Sequence, residues 1–214
     1  MTLAIYCAGG LGKEVLALAR SVSRWQYIIF VDDTTDNDWI EGAKVFRFDD
    51  VKDFPDNVEF VIANGEPKYR EKLYKRIIEN GYTLATIIGN GCTILPDTTI
   101  GKGCILYDCG VSTGVNIGDN VIINTKACIG HDANIKSHSV VSAFCFIGGF
   151  STIGYRNYLA PGSMIKDRIN IGDDTIISLG AVVLRNVREK SIMIGNPAKK
   201  IGENLEGIVF GAFS

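Results

Sequence analysis

From Ile105 to Val183 an aliphatic side chain returns every sixth residue: Ile105, Val111, Ile117, Ile123, Ile129, Ile135, Val141, Ile147, Ile153, Leu159, Ile165, Ile171, Ile177 and Val183. If about a third of positions are aliphatic, a run of that length arises by chance on the order of once in 10⁷ trials. Four residues after most anchors stands a small or β-branched residue, as at Val121, Ala127, Ala133, Ser139, Cys145, Ser151, Ser163, Thr175 and Ala181. Glycine often follows the anchor directly, at Gly118, Gly130, Gly148, Gly154 and Gly172. A period of six matches neither an α-helix nor the alternation of a two-faced strand. It matches a chain that lays down a short strand, turns a corner and repeats, which is a hexapeptide β-helix with about 18 residues per coil. Each anchor points inward onto the anchors of the neighbouring coils, and the small residue fits near the corner. The beat already runs through Ile88, Ile94 and Ile100, then slips by one residue to Ile105. The slip reads as a bulge or a loop between coils. A β-sandwich would instead show turn signals roughly every 8–12 residues without a fixed beat.

The remaining composition narrows the function classes. The formal charge of −2 and the lack of a basic stripe argue against nucleic acid as main partner. No apolar run of membrane-spanning length occurs, and MTLAIYCAGG has neither a charged n-region nor a cleavage site. A cytoplasmic protein is expected. The six cysteines, Cys7, Cys92, Cys104, Cys109, Cys128 and Cys145, show no CxxC pairing, and several fall in slots that want a small apolar residue. They read as reduced packing residues, with no metal site expected.

Ahead of the repeats, residues 1–82 alternate strand and helix patterns: strands at 3–7, 27–31 and 58–63, a small edge strand at Val45-Phe46, and helices from Glu14 to about Ser23 and from Lys68 to Asn80. Leu73, Ile77 and Ile78 are expected on one helix face. Such alternation implies parallel βαβ units in a small Rossmann-like α/β domain. Residues 83–214 are then the β-helix, running to about residue 197, with a Gly-interrupted tail from Gly202 to Ser214 that packs on a neighbour or stays mobile. The turn at Gly9, Gly10 and Gly12 joins the first strand to the first helix, where backbone N–H groups can approach a phosphate. Asp32 or Asp33, about 20 residues on, is where an acidic side chain would meet a ribose hydroxyl. The match to the dinucleotide fingerprint is incomplete, because Cys7 or Ala8 stands where its first Gly should be. A mononucleotide or the nucleotide part of a nucleotide sugar, a dinucleotide, and a merely tight turn remain as readings.

The chain has two histidines, His131 and His138. His131 follows anchor Ile129 by two, near a flat face of the prism, and one coil further lies Gly149, beside Gly148. This leaves a slot beside an imidazole with bare backbone N–H groups nearby. Acyl transfer needs a base that works near neutral pH and donors for the oxyanion of a tetrahedral intermediate. Asp132 would fix the tautomer of His131 if its side chain reaches the ring, although neighbours on a strand point to opposite faces. A surface histidine is the plain alternative for His131, and a polar corner the plain reading for His138. Gly162 and Gly180 would stack one coil apart and, with Ser163, Ser178 and Ala181, outline a small-walled corridor for a pantetheine arm, unless corners simply require glycine. The segment Gly195-Asn196-Pro197-Ala198-Lys199-Lys200 closes the coil, and Lys199 is placed at the phosphates of coenzyme A.

With those motifs the chain resembles the hexapeptide-repeat acyltransferases, and more narrowly the bacterial branch that acetylates amino sugars and sialic acids. That branch includes UDP-4-amino-sugar N-acetyltransferases of the bacillosamine and perosamine type and sialic-acid O-acetyltransferases. The resemblance spans nearly the whole chain. It implies a left-handed β-helix assembled as a homotrimer, with acetyl-CoA in the groove between two subunits and no metal. On the segment from Asn124 to Asp132 it implies His131 as general base, Asp132 as the supporting acid and Asn124 near the sugar. It puts Gly149 near the thioester and, with Gly148, Gly162, Gly180 and Lys199, at the cofactor. It puts the nucleotide sugar at Gly9, Gly10, Gly12, Asp32, Asp33 and Asn64. Where the family often carries a second histidine, nine residues on, this chain has Val140. The expected activity is acetyl-CoA-dependent N-acetylation of a nucleotide-linked 4-amino sugar in surface glycan synthesis. O-acetylation of sialic acid and a non-catalytic β-helix scaffold or sugar-binding module are the alternatives.

Overall fold

The structure is a computed structural model that describes residues 1–53 and 57–210; of the C-terminal tail, residues 211–214 lie outside the described residues. The N-terminal unit is a sheet in the order β3-β4-β2-β1-β5-β6, formed by β1 (Thr2–Tyr6), β2 (Tyr27–Val31), β3 (Trp39–Ile40), β4 (Ala43–Phe46), β5 (Val58–Ile62) and β6 (Thr83–Leu84). All pairings are parallel except β3 with β4. Helices α1 (Gly10–Val22) and α2 (Pro67–Glu79) cover opposite sheet faces. Because β1 alternates, Leu3 and Ile5 pack towards α1 while Ala4 and Tyr6 pack towards α2. The expected helix at Glu14 begins four residues earlier, so Gly10 and Gly12 lie inside its first turn. Ile78, expected with Leu73 and Ile77 on the apolar face, is exposed instead.

From Ile87 onward the chain winds as a left-handed parallel β-helix, two residues per strand, stacked in three sheets. The first face begins with Ile87–Ile88, the second with Thr93–Ile94 and the third with Thr99–Ile100. At each corner one residue has a positive φ, as at Asn120, Lys126, Asp132, His138, Phe144, Phe150 and Arg156. The inward anchors form one continuous core from Leu106 to Val183.

The slip lies elsewhere than expected. Leu106, not Ile105, points into the β-helix core, and Ile105 points outward into the cluster shared with α1. The beat from Ile88 therefore continues through Leu106, and the missing residue falls at the corner before Val111. The register confirms it: Ile87 pairs with Ile105, whereas Ile105 pairs with Ile122.

The three faces differ outwardly. The first presents Ile105, Ile122 and Val140, which are buried against the α1 side of the N-terminal unit. The second presents Gly110, Cys128, Phe146 and Met164, and the third presents Thr99, Asn116, Asn134, Thr152 and Asn170. The domain seam centres on Arg70 of α2. It is fully buried and donates to the carbonyls of Ile62, Asn64 and Asn120 and to Asn120 Oδ1. Beyond the β-helix, β7 (Ser191–Ile194) and β8 (Lys199–Glu203) form an antiparallel pair. The tail does not lie free: Val209 and Phe210 N–H both donate to Glu66 Oε2 of the chain's own N-terminal unit.

Candidate active site

His131 lies at the corner between the second and third faces, after the strand Cys128–Ile129, not on a flat face. The next residue, Asp132, takes φ +59°. That left-handed step breaks the strand rule that sends neighbours to opposite sides, and it turns the Asp132 carboxylate back to His131, with Oδ2 2.8 Å from Nδ1. With Nδ1 donating to the carboxylate, Nε2 is left as the acceptor.

Glycines frame both groups. A Cβ on Gly149 would sit 2.9 Å from His131 Nε2, and a Cβ on Gly114 would sit 2.7 Å from Asp132 Oδ1. The slot beside Nε2 therefore exists only because residue 149 has no side chain. Gly130 and Gly148 serve packing instead: added Cβ atoms would strike the backbone of the next coil at 2.6 Å and 2.4 Å. Phe150, one coil above Asp132, sets its ring edge-on to the imidazole at 5.0 Å, and the Arg168 guanidinium covers that ring at 4.4 Å. Phe150 and Arg168 were missed in the sequence. Counting one coil upward from Asp132, as from His131, would have found them.

Backbone donors at this corner are open. At the corner between the third and first faces, three N–H groups two residues after an anchor are capped by a side chain from the coil above. Lys102 N–H donates to Asp119, Asp119 N–H to Ser137 and Tyr155 N–H to Asp173. At the His131 corner the capping place is Gly149, and neither His131 N–H nor Gly149 N–H has an acceptor among the described residues. Free N–H groups beside an imidazole are what an oxyanion needs.

The other expected cofactor residues lie along a different corner. Gly162 and Gly180 occupy the left-handed position between the first and second faces, with φ of +71° and +62° and open space where a Cβ would stand. Asn124 lies half-buried on that same corner, one coil level with His131 but across the second face. Ser163 and Ala181 do not line the corridor, because both are fully buried inside the prism. Lys199 is exposed on β8 and Lys200 pairs with Glu203 at 2.7 Å. Across the second face, between the two corners, Phe146 and Met164 are exposed, flanked by Phe144, Phe150, Leu179 and Leu184.

In the N-terminal unit a cleft of about 540 Å³ is lined by Ala8, Gly9, Lys13, Asp32, Thr34, Thr35 and Trp39, among others. The sheet order places α1 and α2 on opposite sides of β1, so the chain reverses direction at β1, where ligands of such sheets bind. Gly9 and Gly10 face open space, whereas a Cβ on Gly12 would meet the Cys7 carbonyl oxygen at 2.3 Å. Gly12 is thus a packing glycine. Asp32 accepts from Ala8 N–H, Thr34 N–H and Oγ1, and Thr35 N–H. Burial alone would raise its pKa, but these bonds outweigh that and hold it below the ordinary carboxylate value. Asp33 is not brought to the cleft. Its carboxylate turns to the α2 side, where Tyr6 Oη, Phe48 N–H and Arg76 donate to it. Asn64 borders a separate hollow of about 380 Å³ with Glu66, Lys68, Tyr69, Lys72 and Ile208, and its Oδ1 accepts from Glu66 N–H.

His138 is a seam residue. Its Nδ1 accepts from Asn120 Nδ2 at 3.0 Å and its ring meets Tyr74 edge-on. All six cysteines are free, and Cys104, Cys109 and Cys145 are buried as packing residues. Cys128 departs from that expectation, being exposed on the second face. Among the described residues no group of three or more His, Cys, Asp or Glu is placed to hold a metal, and no helix is long and apolar enough to cross a membrane.

Residues 2–77 match the family described as the PglD N-terminal domain. The GDP-perosamine N-acetyltransferase of Escherichia coli O157:H7 is 25% identical over 197 residues, which is 89% of this chain and 81% of that protein. The UDP-3-O-acylglucosamine N-acyltransferase of Bordetella pertussis is 30% identical over 100 residues, but the match spans only 26% of its length and 47% of this chain. Among solved structures, the acetyltransferase domain of PglB from Neisseria gonorrhoeae superposes with a TM-score of 0.89 at 25% identity, covering 94% of this chain and 99% of that one. The same domain has also been solved in complex with acetyl coenzyme A. Residues 2–77 are therefore similar to the PglD N-terminal domain, and the chain as a whole shares the fold of the solved PglB acetyltransferase domain.

Proposed function

We propose that this chain is an acetyl-CoA-dependent N-acetyltransferase acting on a nucleotide-linked 4-amino sugar for surface glycan synthesis. The observation that carries the reading is the His131–Asp132 pair facing the space left by Gly149. Asp132 holds the imidazole with Nε2 free. As the sugar amine attacks the thioester carbonyl, Nε2 takes the amine proton and a C–N bond forms. The oxyanion is met by the open N–H groups of His131 and Gly149. Collapse breaks the C–S bond, and the departing thiolate of coenzyme A takes the proton back from the imidazolium. No covalent acyl-enzyme is required.

The likeness to an E. coli GDP-perosamine N-acetyltransferase and to an acetyl-CoA-binding PglB domain supports the reaction class. The N-terminal cleft supports the nucleotide. That cleft belongs to a unit docked on the first face, whereas His131 stands at the opposite corner. Gly162 and Gly180, in turn, stand across the second face from His131. A site using all of them needs a second copy of the chain, and the exposed apolar second face is the surface for a homotrimer.

The test is thiol release from acetyl-CoA with UDP-, GDP- and dTDP-linked 4-amino sugars and with sialic acid. Turnover with one nucleotide sugar is expected, and His131→Ala should lower kcat by about 10²- to 10⁴-fold. Near-normal turnover by that variant removes the general base. Turnover with sialic acid alone replaces the amine acceptor by a hydroxyl and discards the nucleotide.

A further inference from the structure

The exposed indole of Trp39 has no structural employment, and its position gives it one in binding. Trp39 is 63% exposed, on the two-residue strand β3 at the sheet edge. Short edge strands ordinarily carry polar or charged residues on their open side. No hydrogen bond or ring contact of its side chain is made among the described residues. Yet the β3–β4 hairpin that carries it is held in place. Its turn, Glu41-Gly42, is tied to α1 by Lys13, whose Nζ lies 3.3 Å from Glu41 Oε1, and by Arg20, which donates to the Glu41 carbonyl at 2.9 Å. The turn residues have φ of +48° and +74°, which sets the tight reversal. The hairpin is therefore fixed relative to α1, and so relative to the glycine turn that opens α1.

Trp39 lines the same cleft as Ala8, Gly9, Lys13, Asp32 and Thr34. Asp32 is one of the two acidic residues expected at the ribose, but its oxygens already bind the cleft's own loop and the Ala8 N–H. It shapes the cleft. The groups still open are the flat face of Trp39 and the unhindered backbone at Gly9 and Gly10, and the Lys13 ammonium stands beside them, half-exposed in its pair with Glu41. An aromatic plane, a cation and bare backbone fit a base, a diphosphate and close phosphate approach.

Building on the nucleotide-sugar reading above, we infer that Trp39 is the base-stacking residue of the site, with Lys13 facing the diphosphate. Every nucleobase has a π-face, so Trp39 provides affinity for the nucleoside diphosphate without choosing the base.

The chain is convenient for the test, because its other tryptophan, Trp25, is only 7% exposed and donates its Nε1–H to Glu59. UDP and GDP titrated into the intact protein should quench the solvent-exposed part of the tryptophan emission, and Trp39→Phe should abolish that quench while keeping nucleotide-sugar KM near normal. Trp39→Ala should raise that KM by between about five- and fiftyfold. Its kcat and its KM for acetyl-CoA should change by less than about twofold, and its Tm should be unmoved. A quench that persists in Trp39→Phe, or an unchanged KM in Trp39→Ala, overturns the stacking role while the proposed function stands. A quench by UDP or GDP in a protein that releases no thiol with any nucleotide amino sugar keeps the stacking role and overturns the proposed function. Neither quench nor turnover overturns both.

Discussion

Three glycines near the two candidate sites are glycine for different reasons, and substitution separates them. A methyl at Gly149 would lie 2.9 Å from His131 Nε2 and 3.1 Å from the His131 carbonyl oxygen. The ring must swing away from Asp132 to admit it. Gly149→Ala should therefore lower kcat by roughly ten- to a hundredfold, with Tm changed by less than about 2 °C, as read by thiol release and thermal unfolding. Gly12→Ala would press its methyl onto the Cys7 carbonyl at 2.3 Å and the Phe30 ring at 3.2 Å. In a helix that exchange ordinarily stabilises by about 1 kcal/mol. Here urea denaturation should show a loss of about 2–3 kcal/mol. Gly10→Ala meets nothing within 4 Å; it should leave stability intact and raise the KM for the nucleotide sugar. The glycine spacing was visible in the sequence, but not this sorting, because a glycine required by a ligand and one required by a neighbouring carbonyl look the same until the neighbour is placed.

At the scale of elements, the domain seam is a pH-sensitive joint. His138 stands at a left-handed corner of the β-helix, φ +67°, among Asn120, Tyr74 and the ion pairs of Arg156 with Glu71 and Asp174. Burial lowers its pKa to about 4, helped by the charges of Arg70 and Arg156 and opposed by Glu71 and Asp119. Folded His138 thus stays neutral while the unfolded residue protonates near pH 6.5. Between those values the unfolded state binds more protons, so stability falls as the pH drops from about 6.5 to 4, by on the order of 3 kcal/mol in all. Asp32, Asp33 and Glu71 have lowered pKa values and lose their contributions only below the ordinary carboxylate range, a separate window. His138→Asn should flatten the Tm-against-pH curve between pH 6.5 and 4.5 and leave the more acidic limb unchanged. Identical curves for parent and variant would assign the slope to another group. The sequence marked His138 as a polar corner residue. Its burial comes from α2, about 65 residues earlier in the chain, which no local pattern reports.

For the whole molecule, the three faces of one prism have three fates, decided by their outward residues. The first carries aliphatic residues and is covered by the N-terminal unit. The third carries Thr and Asn and faces water. The second carries Phe146 and Met164 and is uncovered in the single chain. A trimer should be found by sedimentation. Phe146→Lys, on a side chain that supports nothing inside the prism, should give a folded monomer without acetyl transfer. A monomeric variant with full turnover would rule out a site shared between copies.

What the sequence by itself determined was the coil. The six-residue beat is local, the backbone ladder between coils is sequence-independent, and together they dictate a prism with His131 and Gly149 stacked one coil apart. The three long strands and the two helices of the first 82 residues followed from patterning in the same way, but the start of α1 and the short strand β3, which takes the sheet edge expected for Val45-Phe46, did not. What only the tertiary structure decided were the relations between units. Ile105 and Leu106 are both apolar because one face of the strand meets the prism core and the other meets α1, so hydrophobicity no longer tells inward from outward. Asp132 reaches His131 because a corner residue adopts a left-handed conformation, which strand geometry forbids. Asp32 and Asp33 are adjacent and chemically alike, yet the alternation of the chain sends one to the cleft and the other to Arg76 on the far side of the sheet. A repeat is written in neighbouring residues and can be read there. A seam, a cleft and the direction of a carboxylate depend on segments that meet only after the chain has folded.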